Sequence, residues 1–307
     1  MFSSERLKGI DVFVSVADLG SFTAAAERLN LSNSAVSKGV ARLEARLGVR
    51  LFQRTTRRLA LTEAGQTFYR TCTGVLADLE EVELAMSAEQ REPHGRLRID
   101  LPASYGRLHV LPLILEFAAQ YPRLQPHISF SDRFVDPAQE GIDIVVRIGG
   151  SDAWPSNVGR RFFGRQRLVF CAAPAYLSEH GTPQGERDLE QHRCVGYGQT
   201  DGSVYPWYFQ GRQAGDMERR IIHPHVAVGD GEGQVMAVLA GQGIAQLPTW
   251  LIQRHLDSGA LVEVLAPLAT DGLAMNLVWL KSRENLPKVH ALLEFLTARL
   301  TPAGTVP

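Results

Sequence analysis

The hydrophobic rhythm of this 307-residue chain changes once, at Arg91-Glu92-Pro93-His94-Gly95, and that change constrains the fold more than any other feature. Upstream, apolar residues recur every three or four positions, the period of amphipathic helices. Downstream they come as short runs that alternate with helical stretches, the pattern of β/α units. Proline and glycine so close together, with no apolar residue around them, mark residues 91–95 as a hinge. The length agrees with two or three domains at roughly 100–200 residues each. A hydrophobic content of 45% with 21% charged residues is that of an ordinary globular chain. No apolar run approaches the ~20 residues of a membrane span. The first six residues, Met1 to Arg6, lack the basic and apolar regions of a secretory signal. Three scattered cysteines, Cys72, Cys171 and Cys194, are too few for a disulfide framework or a zinc site. The expected compartment is the cytoplasm, with no membrane partner.

The net charge of −1 argues against a nucleic-acid partner only until it is resolved along the chain. Between Arg28 and Arg58 stand eight basic residues (Arg28, Lys38, Arg42, Arg46, Arg50, Arg54, Arg57, Arg58) against Glu44, a local +7. Between residues 66 and 90 one base, Arg70, faces five acids, a local −4. A basic module followed by an acidic helix has the footprint of phosphate binding.

Ile10, Phe13, Val14 and Ala17 fall on one face of a helix at about residues 5–18, which Gly20 ends. Ser21 is placed to cap a second helix, Phe22 to Leu29, and Ser32 a third that runs to about Arg46. On the third helix Val36, Val40, Leu43 and Leu47 share one face, while Ser34, Lys38, Ala41, Arg42 and Ala45 share the other. Two short helices joined by a tight turn, the second with a slim, polar and basic outer face, form a helix-turn-helix. Such a face enters the major groove, so Ser32, Asn33, Ser34, Ser37, Lys38 and Arg42 are the candidate DNA contacts. Residues 51–62 then read as two short strands around a basic tip, a wing whose Arg54, Thr55, Arg57 and Arg58 reach phosphates or the minor groove.

From Thr62 a long helix follows, with Phe68, Cys72, Val75, Leu79, Val82 and Met86 spaced 4, 3, 4, 3, 4. This heptad seam, flanked by charge, predicts dimerisation through an identical helix.

The stretch Gly20-Ser21-Phe22-Thr23-Ala24-Ala25-Ala26-Glu27-Arg28-Leu29, with Ser32 to Lys38, Leu43-Glu44, Leu47 to Thr55 and Leu61-Thr62-Glu63-Ala64-Gly65, resembles the winged helix-turn-helix of LysR-type transcriptional regulators. The chain departs from the family pattern at Asn33-Ser34, where Gln-Pro is usual, and at Gly39, where a long polar residue is common. Both positions lie at the reading end, so the family's half-site does not carry over. The resemblance implies a dimerising linker helix, and two winged modules on one coiled coil read an interrupted inverted repeat.

Beyond the hinge, strands are expected at 97–101, 127–130, 142–147, 167–172, 193–197 and 243–247, with helices at 106–120, 231–241 and 286–300. In the first of these helices Leu108, Leu111, Leu115 and Ala118, or their neighbours, should face inward. The alternation implies parallel sheets covered by helices, and 210 residues fit two small lobes better than one sheet. Ligands of open α/β sheets bind beyond the carboxyl ends of strands, at helix N-termini. Three such ends stand out: Ala103-Ser104-Tyr105, Arg147 to Gly149, and Gly229-Asp230. Ser104 and neighbouring N–H groups, with Arg147 near, are suited to a small carboxylate.

This part resembles the LysR-type effector domain, a two-lobed fold like the type 2 periplasmic binding proteins. The residues that carry the likeness include Gly95 to Ile99, Tyr121-Pro122, Ser131 to Asp136, Asp143 to Gly149, Gly241 to Ala245 and Leu247-Pro248. The resemblance implies a small co-inducer, an organic anion, between the lobes, and adds Ser131, Gln199, Thr200 and Pro248 to the cleft. It sets lobe 1 at about 96–164 and 268–307, and lobe 2 at about 165–267, after a DNA-binding domain at 1–65 and a linker helix at 66–90. The fold class expected is thus α+β multidomain. The partners are double-stranded DNA, a small-molecule effector and further copies of the chain as dimer and tetramer, with contact to RNA polymerase allowed and no cofactor.

Enzyme signatures are missing. His223-Pro224-His225 has no cysteine or carboxylate at ligand spacing, and Gly229 to Gly233 matches no phosphate or dinucleotide loop. No Gly-x-Ser-x-Gly elbow is present. The cluster Tyr205, Trp207 and Tyr208 reads as core or edge packing. An enzyme with a borrowed DNA-binding domain, or an architectural DNA-binding protein without an effector, are the alternatives, and ligand-induced thermal stabilisation separates them.

Overall fold

The computed structural model describes residues 9–54, 59–86, 92–150, 154–211 and 217–300. These divide into two compact units, one of the residues before Glu92 together with Asp136–Gly141, and one built on Glu92–Val135 and the chain from Ile142 onward.

The first unit packs α1 (Ile10–Leu19), α2 (Phe22–Leu29) and α3 (Asn33–Leu47) around Phe13, Val16, Ala25, Val36, Val40 and Leu43. Each fully buried apolar side chain of this kind contributes about 1.5–3 kcal/mol. Serines start two of the helices: Ser21 Oγ accepts from the Ala24 N–H at 3.3 Å and Ser32 Oγ from the Ala35 N–H at 3.2 Å. The wing strands β1 (Phe52–Arg54) and β2 (Leu59–Leu61) pair antiparallel, Phe52 opposite Leu61. Glu44 fixes their approach, its Oε1 accepting from the N–H groups of Leu51 and Phe52 at 2.7 and 3.1 Å. Thr62 starts the long helix α4 (Glu63–Met86): its Oγ1 accepts from the Gly65 N–H at 2.9 Å and donates to the Arg50 carbonyl at 2.7 Å. Gly65 packs directly on Leu51, and a Cβ there would collide with the Leu51 carbonyl oxygen.

The second unit runs β3 (Gly95–Leu101), α5 (Ala103–Tyr105), a π turn (Gly106–Val110), α6 (Leu111–Gln120) and β4 (Leu124–Phe130), and after α7 (Pro137–Glu140), which groups with the first unit, β5 (Ile144–Ile148) and β6 (Val158–Ala172). There follow α8 (Pro174–His180), β7 (Val195–Tyr197), β8 (Trp207–Gln210), β9 (Met217–Arg220), β10 (Val226–Val228) and α9 (Gly231–Leu239). The chain continues through β11 (Ala245–Pro248), α10 (Thr249–Asp257), β12 (Val262–Val264), β13 (Thr270–Leu280) and α11 (Pro287–Arg299). One sheet, ordered β11-β6-β13-β5-β3-β4 with β12 also on β6, spans two lobes.

The expectation of parallel sheets holds only for β3 with β4 and β5, and for β7 with β10. Strands β6 and β13 serve both lobes; because the chain leaves lobe I on one and returns on the other, they lie antiparallel to each other and to their neighbours β5, β11 and β12. Period-two alternation lets β6 serve both faces of lobe II. Val169 and Cys171 enter one core with Val195, Val238 and Leu247, while Phe170 and Ala172 enter another with Tyr176, Trp207 and Ile244. At the crossing, β13 bulges between Thr270 and Leu273, and Gly272 takes φ +66° against the Gln166 carbonyl, a conformation and an approach open only to glycine.

The inward face assigned to the helix at 106–120 needs correction. Leu108 and Leu115 are exposed, and Val110, Ile114 and Phe117 are buried. Two neighbouring apolar stripes satisfy the helical period in this segment, and packing against the lobe core selects the one that carries Ile114 and Phe117. Lobe I is further braced by a buried ion pair, Arg283 Nη1 to Asp143 Oδ1 at 2.8 Å, with Asp143 Oδ2 accepting from the Arg98 N–H at 2.8 Å. Among the described residues no helix is long and apolar enough to cross a membrane.

Candidate functional site

On α3, Val36, Val40 and Leu43 are buried, which turns Ser34, Lys38, Ala41, Arg42 and Ala45 outward. Ser32 and Asn33 are exposed at the helix start, and Ser37 is half-buried. Asn33 Nδ2 donates to Thr23 Oγ1 at 3.2 Å, linking the helix start to α2. No ion pair engages Lys38 or Arg42 among the described residues, so both cations are available to a polyanion. Arg28 is different: it donates to Ser15 Oγ at 2.9 Å and pairs with Asp18 at 3.1 Å, within the module. Gly39 packs towards α1, a Cβ there lying 3.4 Å from Val12 Cγ1, rather than on the outer face. In the wing, Thr55, Arg57, Arg58 and the side chain of Arg54 lie outside the described residues.

The seam of α4 divides. Cys72, 3% exposed, and Phe68 pack into the core of this same unit, with Phe68 against Phe13 at 5.4 Å between ring centres. Their place on a dimer seam is corrected: the first turns of α4 complete the core that three short helices cannot close alone. Burial also pushes the Cys72 thiol up to about 11, which leaves it an inert packing group. Val75 and Leu79, at 40% and 45% exposure, are the apolar positions that this core leaves uncovered. The side chains of Val82 and Met86 lie outside the described residues.

Between the lobes of the second unit lies a cavity of about 670 Å³. Of the residues singled out in the sequence, Ser104, Tyr105, Ser131, Arg147, Gly149 and Pro248 line it. Ala103, Gly229 and Asp230 stand beside it in supporting roles. The Ala103 N–H donates to Asp132 Oδ1 at 3.0 Å, and Asp230 caps α9 by accepting from the Gly233 N–H at 2.9 Å. Gln199 and Thr200 belong to an exposed turn instead, where Gln199 Nε2 donates to Ser203 Oγ at 2.7 Å. That local turn chemistry draws them away from the cleft.

The two lobes are latched at the cleft edge. Arg107 of lobe I pairs with Asp230, at 3.1 Å, and with Glu232, both at the start of α9 in lobe II. The hydrogen bond that Arg107 donates to Glu232 is the main cause that holds its guanidinium above its ordinary value. Tyr197 of lobe II donates its hydroxyl to Asp132 of lobe I; burial, then the Asp132 bond, pushes this phenol up and keeps it a donor. Among the described residues Ser104 Oγ is buried without a partner, facing Gly231, where a Cβ would lie 3.2 Å away. Arg147 Nη1 donates to the Arg133 carbonyl at 2.6 Å while its Nε is buried without a partner. Burial is the main cause that lowers the guanidinium from its ordinary value.

Residues missed in the sequence complete the lining. Trp250 Nε1 donates to Gln166 Oε1 at 3.2 Å, and Gln246 clamps Tyr208, accepting from its N–H at 2.8 Å and donating to its carbonyl at 2.6 Å. Tyr205, Trp207 and Tyr208 are more than packing, since all three also face the cavity. The one signal that pointed to them was their density in the sequence.

Comparison with known proteins bears on both sites. Residues 7–66 match the model of the bacterial regulatory helix-turn-helix protein, lysR family, and residues 90–301 that of the LysR substrate binding domain. An HTH-type transcriptional regulator of Haemophilus influenzae is 34% identical over 283 residues, covering 92% of this chain and 96% of the relative. The HTH-type transcriptional regulator CrgA of Neisseria meningitidis serogroup C is 34% identical over 293 residues, 95% of this chain and 96% of its own length. The solved structure of CrgA, a LysR-type transcriptional regulator from Neisseria meningitidis, superposes with a TM-score of 0.59 at 32% identity, over 98% of this chain and 99% of that one. ArgP from Mycobacterium tuberculosis, at 21% identity and a TM-score of 0.65 over 96% of this chain and 97% of its own, shares the fold. With both units matched in order and almost the whole chain covered, the protein belongs to the LysR family of bacterial transcriptional regulators.

Proposed function

We propose that the protein works in the cytoplasm as a ligand-responsive regulator that reads an interrupted inverted repeat in promoter DNA as a dimer or tetramer. The outward face of α3, with Ser34, Lys38 and Arg42, enters the major groove, and the wing follows the adjacent backbone. The observation that carries this reading is the amphipathic split of α3: its apolar side is spent on the module core, which leaves a slim, basic, unpaired side for phosphate and base edges. In the second unit a small organic anion enters the cleft beside Ser104 and Arg147. Its binding favours one closure of the lobes, whose latches join Arg107 to Asp230 and Tyr197 to Asp132. The effector thus shifts a population between closures and, through the packing of dimers, the spacing or bending of bound DNA. Activation, with contact to RNA polymerase, and repression both fit this scheme. It proceeds without enzymatic turnover.

Lys38→Ala is expected to weaken binding to the DNA upstream of the protein's own gene. A lost phosphate contact lowers the slope of log affinity against log salt by about 1. An affinity and slope equal to the parent's would remove Lys38 from the interface.

A further inference from the structure

The cleft is specific about the chemistry it can satisfy. Six aromatic side chains line it: Tyr105 from lobe I, and Tyr197, Tyr205, Trp207, Tyr208 and Trp250 from lobe II. Tyr105 meets Trp250 edge-on with ring centres 5.1 Å apart, and Tyr197 meets Tyr205 in the same way at 5.4 Å. These pairs offer both faces and edges to a further ring.

The Gln166 and Gln246 amides and the Asp132 carboxylate of the cleft are spent on the protein itself, while the Tyr105, Tyr205 and Tyr208 hydroxyls also line it. Gln246 is occupied by the Tyr208 backbone, Gln166 by Trp250, and Asp132 by the Ala103 N–H and the Tyr197 hydroxyl. Ser104 Oγ and the buried side chain of Gln234 have no partner among the described residues. A sugar or a polyol, each hydroxyl of which demands a partner, would have to find them on Ser104 and the tyrosine hydroxyls.

Two cations, Arg147 and Arg219, and one carboxylate, Asp132, line the cleft. Arg147 is a half-buried cation that no carboxylate pairs with among the described residues; its Nη1 donates to the neutral Arg133 carbonyl. Asp132 and Asp100 act on Arg147 through space without pairing with it, and a ligand carboxylate would add direct charge-assisted hydrogen bonds to the guanidinium. Arg219, stacked 5.9 Å from the Tyr208 ring centre, adds a second positive group to the lining.

We propose that the effector is an aromatic carboxylic acid, held with its ring among these aromatic side chains and its carboxylate on Arg147. The inference rests on the regulator reading above and narrows its ligand. The cavity volume of about 670 Å³ accepts one or two fused rings and exceeds the need of a four-carbon diacid.

The test uses the full-length protein with benzoate and indole-3-carboxylate as probes, and benzamide, cyclohexanecarboxylate and succinate as controls. Binding is read from the thermal midpoint and from tryptophan emission, since Trp207 and Trp250 line the cavity. At least one aromatic acid should bind, with benzamide and cyclohexanecarboxylate weaker by about tenfold or more. Arg147→Gln should abolish the preference for acid over amide. Should that variant fail to fold, Tyr205→Leu tests the other half by abolishing the preference for benzoate over cyclohexanecarboxylate. Equal or tighter binding of cyclohexanecarboxylate or succinate, or no binding of either aromatic acid, overturns the proposal. Selection from a random DNA duplex library separates the two readings. A protein that enriches a sequence but ignores the acids sinks only the ligand class, whereas one that binds the acids and enriches no sequence sinks the regulator reading.

Discussion

Gly65 shows how one residue sets the geometry of the DNA-binding unit. Because its Cα approaches the Leu51 carbonyl too closely for any side chain, α4 departs at a fixed angle from the wing. Gly65→Ala is expected to destabilise the unit by about 2–4 kcal/mol, read as a lower urea midpoint for its transition. An unchanged midpoint would mean that α4 can shift without consequence. His109 matters through its environment: it lies against Tyr105 and Trp250, at 5.0 and 5.4 Å between ring centres, and its Nε2 is buried without a partner. Burial lowers its proton affinity below the ordinary value of 6.5, opposed by a hydrogen bond with the Trp250 backbone. The unfolded chain then binds this proton more readily than the folded one. The associated stability is full above pH 6.5 and declines as pH falls from there towards the depressed native value. His109→Gln should flatten that acid limb in thermal melts, and an identical limb would assign the acid sensitivity to other groups.

At the scale of elements, α4 carries two tasks in sequence. Its first turns close the core of the reading unit through Phe68 and Cys72, and the turns that follow present Val75 and Leu79. If α4 dimerises as proposed, Leu79→Glu should give a monomer in sedimentation while leaving the DNA-binding unit folded. A surviving dimer would place the interface elsewhere. The same division explains what the sequence could reveal. A 4-3-4-3 spacing states that a face is apolar, but whether that face meets its own domain or another chain is decided in three dimensions. Helices α1 to α3 were legible because their caps, Ser21 and Ser32, and their apolar stripes are local signals. In α6 the stripe misled by one position. Two adjacent stripes, one through Leu111 and Leu115 and one through Ile114 and Phe117, both keep the helical period, and only packing chooses between them. The cleft was half legible: Ser104 and Arg147 sit at strand ends, where the β/α architecture exposes ligands to helix starts. Tyr197, Tyr205 and Trp250 converge from three separate segments, and only the topology brings them together.

For the whole molecule, the near-zero net charge conceals a division of labour: a basic reading unit, an acidic connecting helix and a nearly neutral sensing unit. The sensing unit carries its cation inside the cleft and balances its rim with cross-lobe pairs, Arg107 with Asp230 and Glu232 among them. Ligand charge is thus read locally, with little effect on the long-range field that the DNA meets. One feature of the topology has an evolutionary consequence. All of lobe II is strung between β6 and β13, and the chain leaves and re-enters at Leu168 and Thr270, which are direct partners across the antiparallel ladder. An entire lobe hung from two adjacent backbone positions is a cassette. Exchange at those two points can re-aim the sensor towards a new metabolite while lobe I, the linker and the promoter specificity stay as they are.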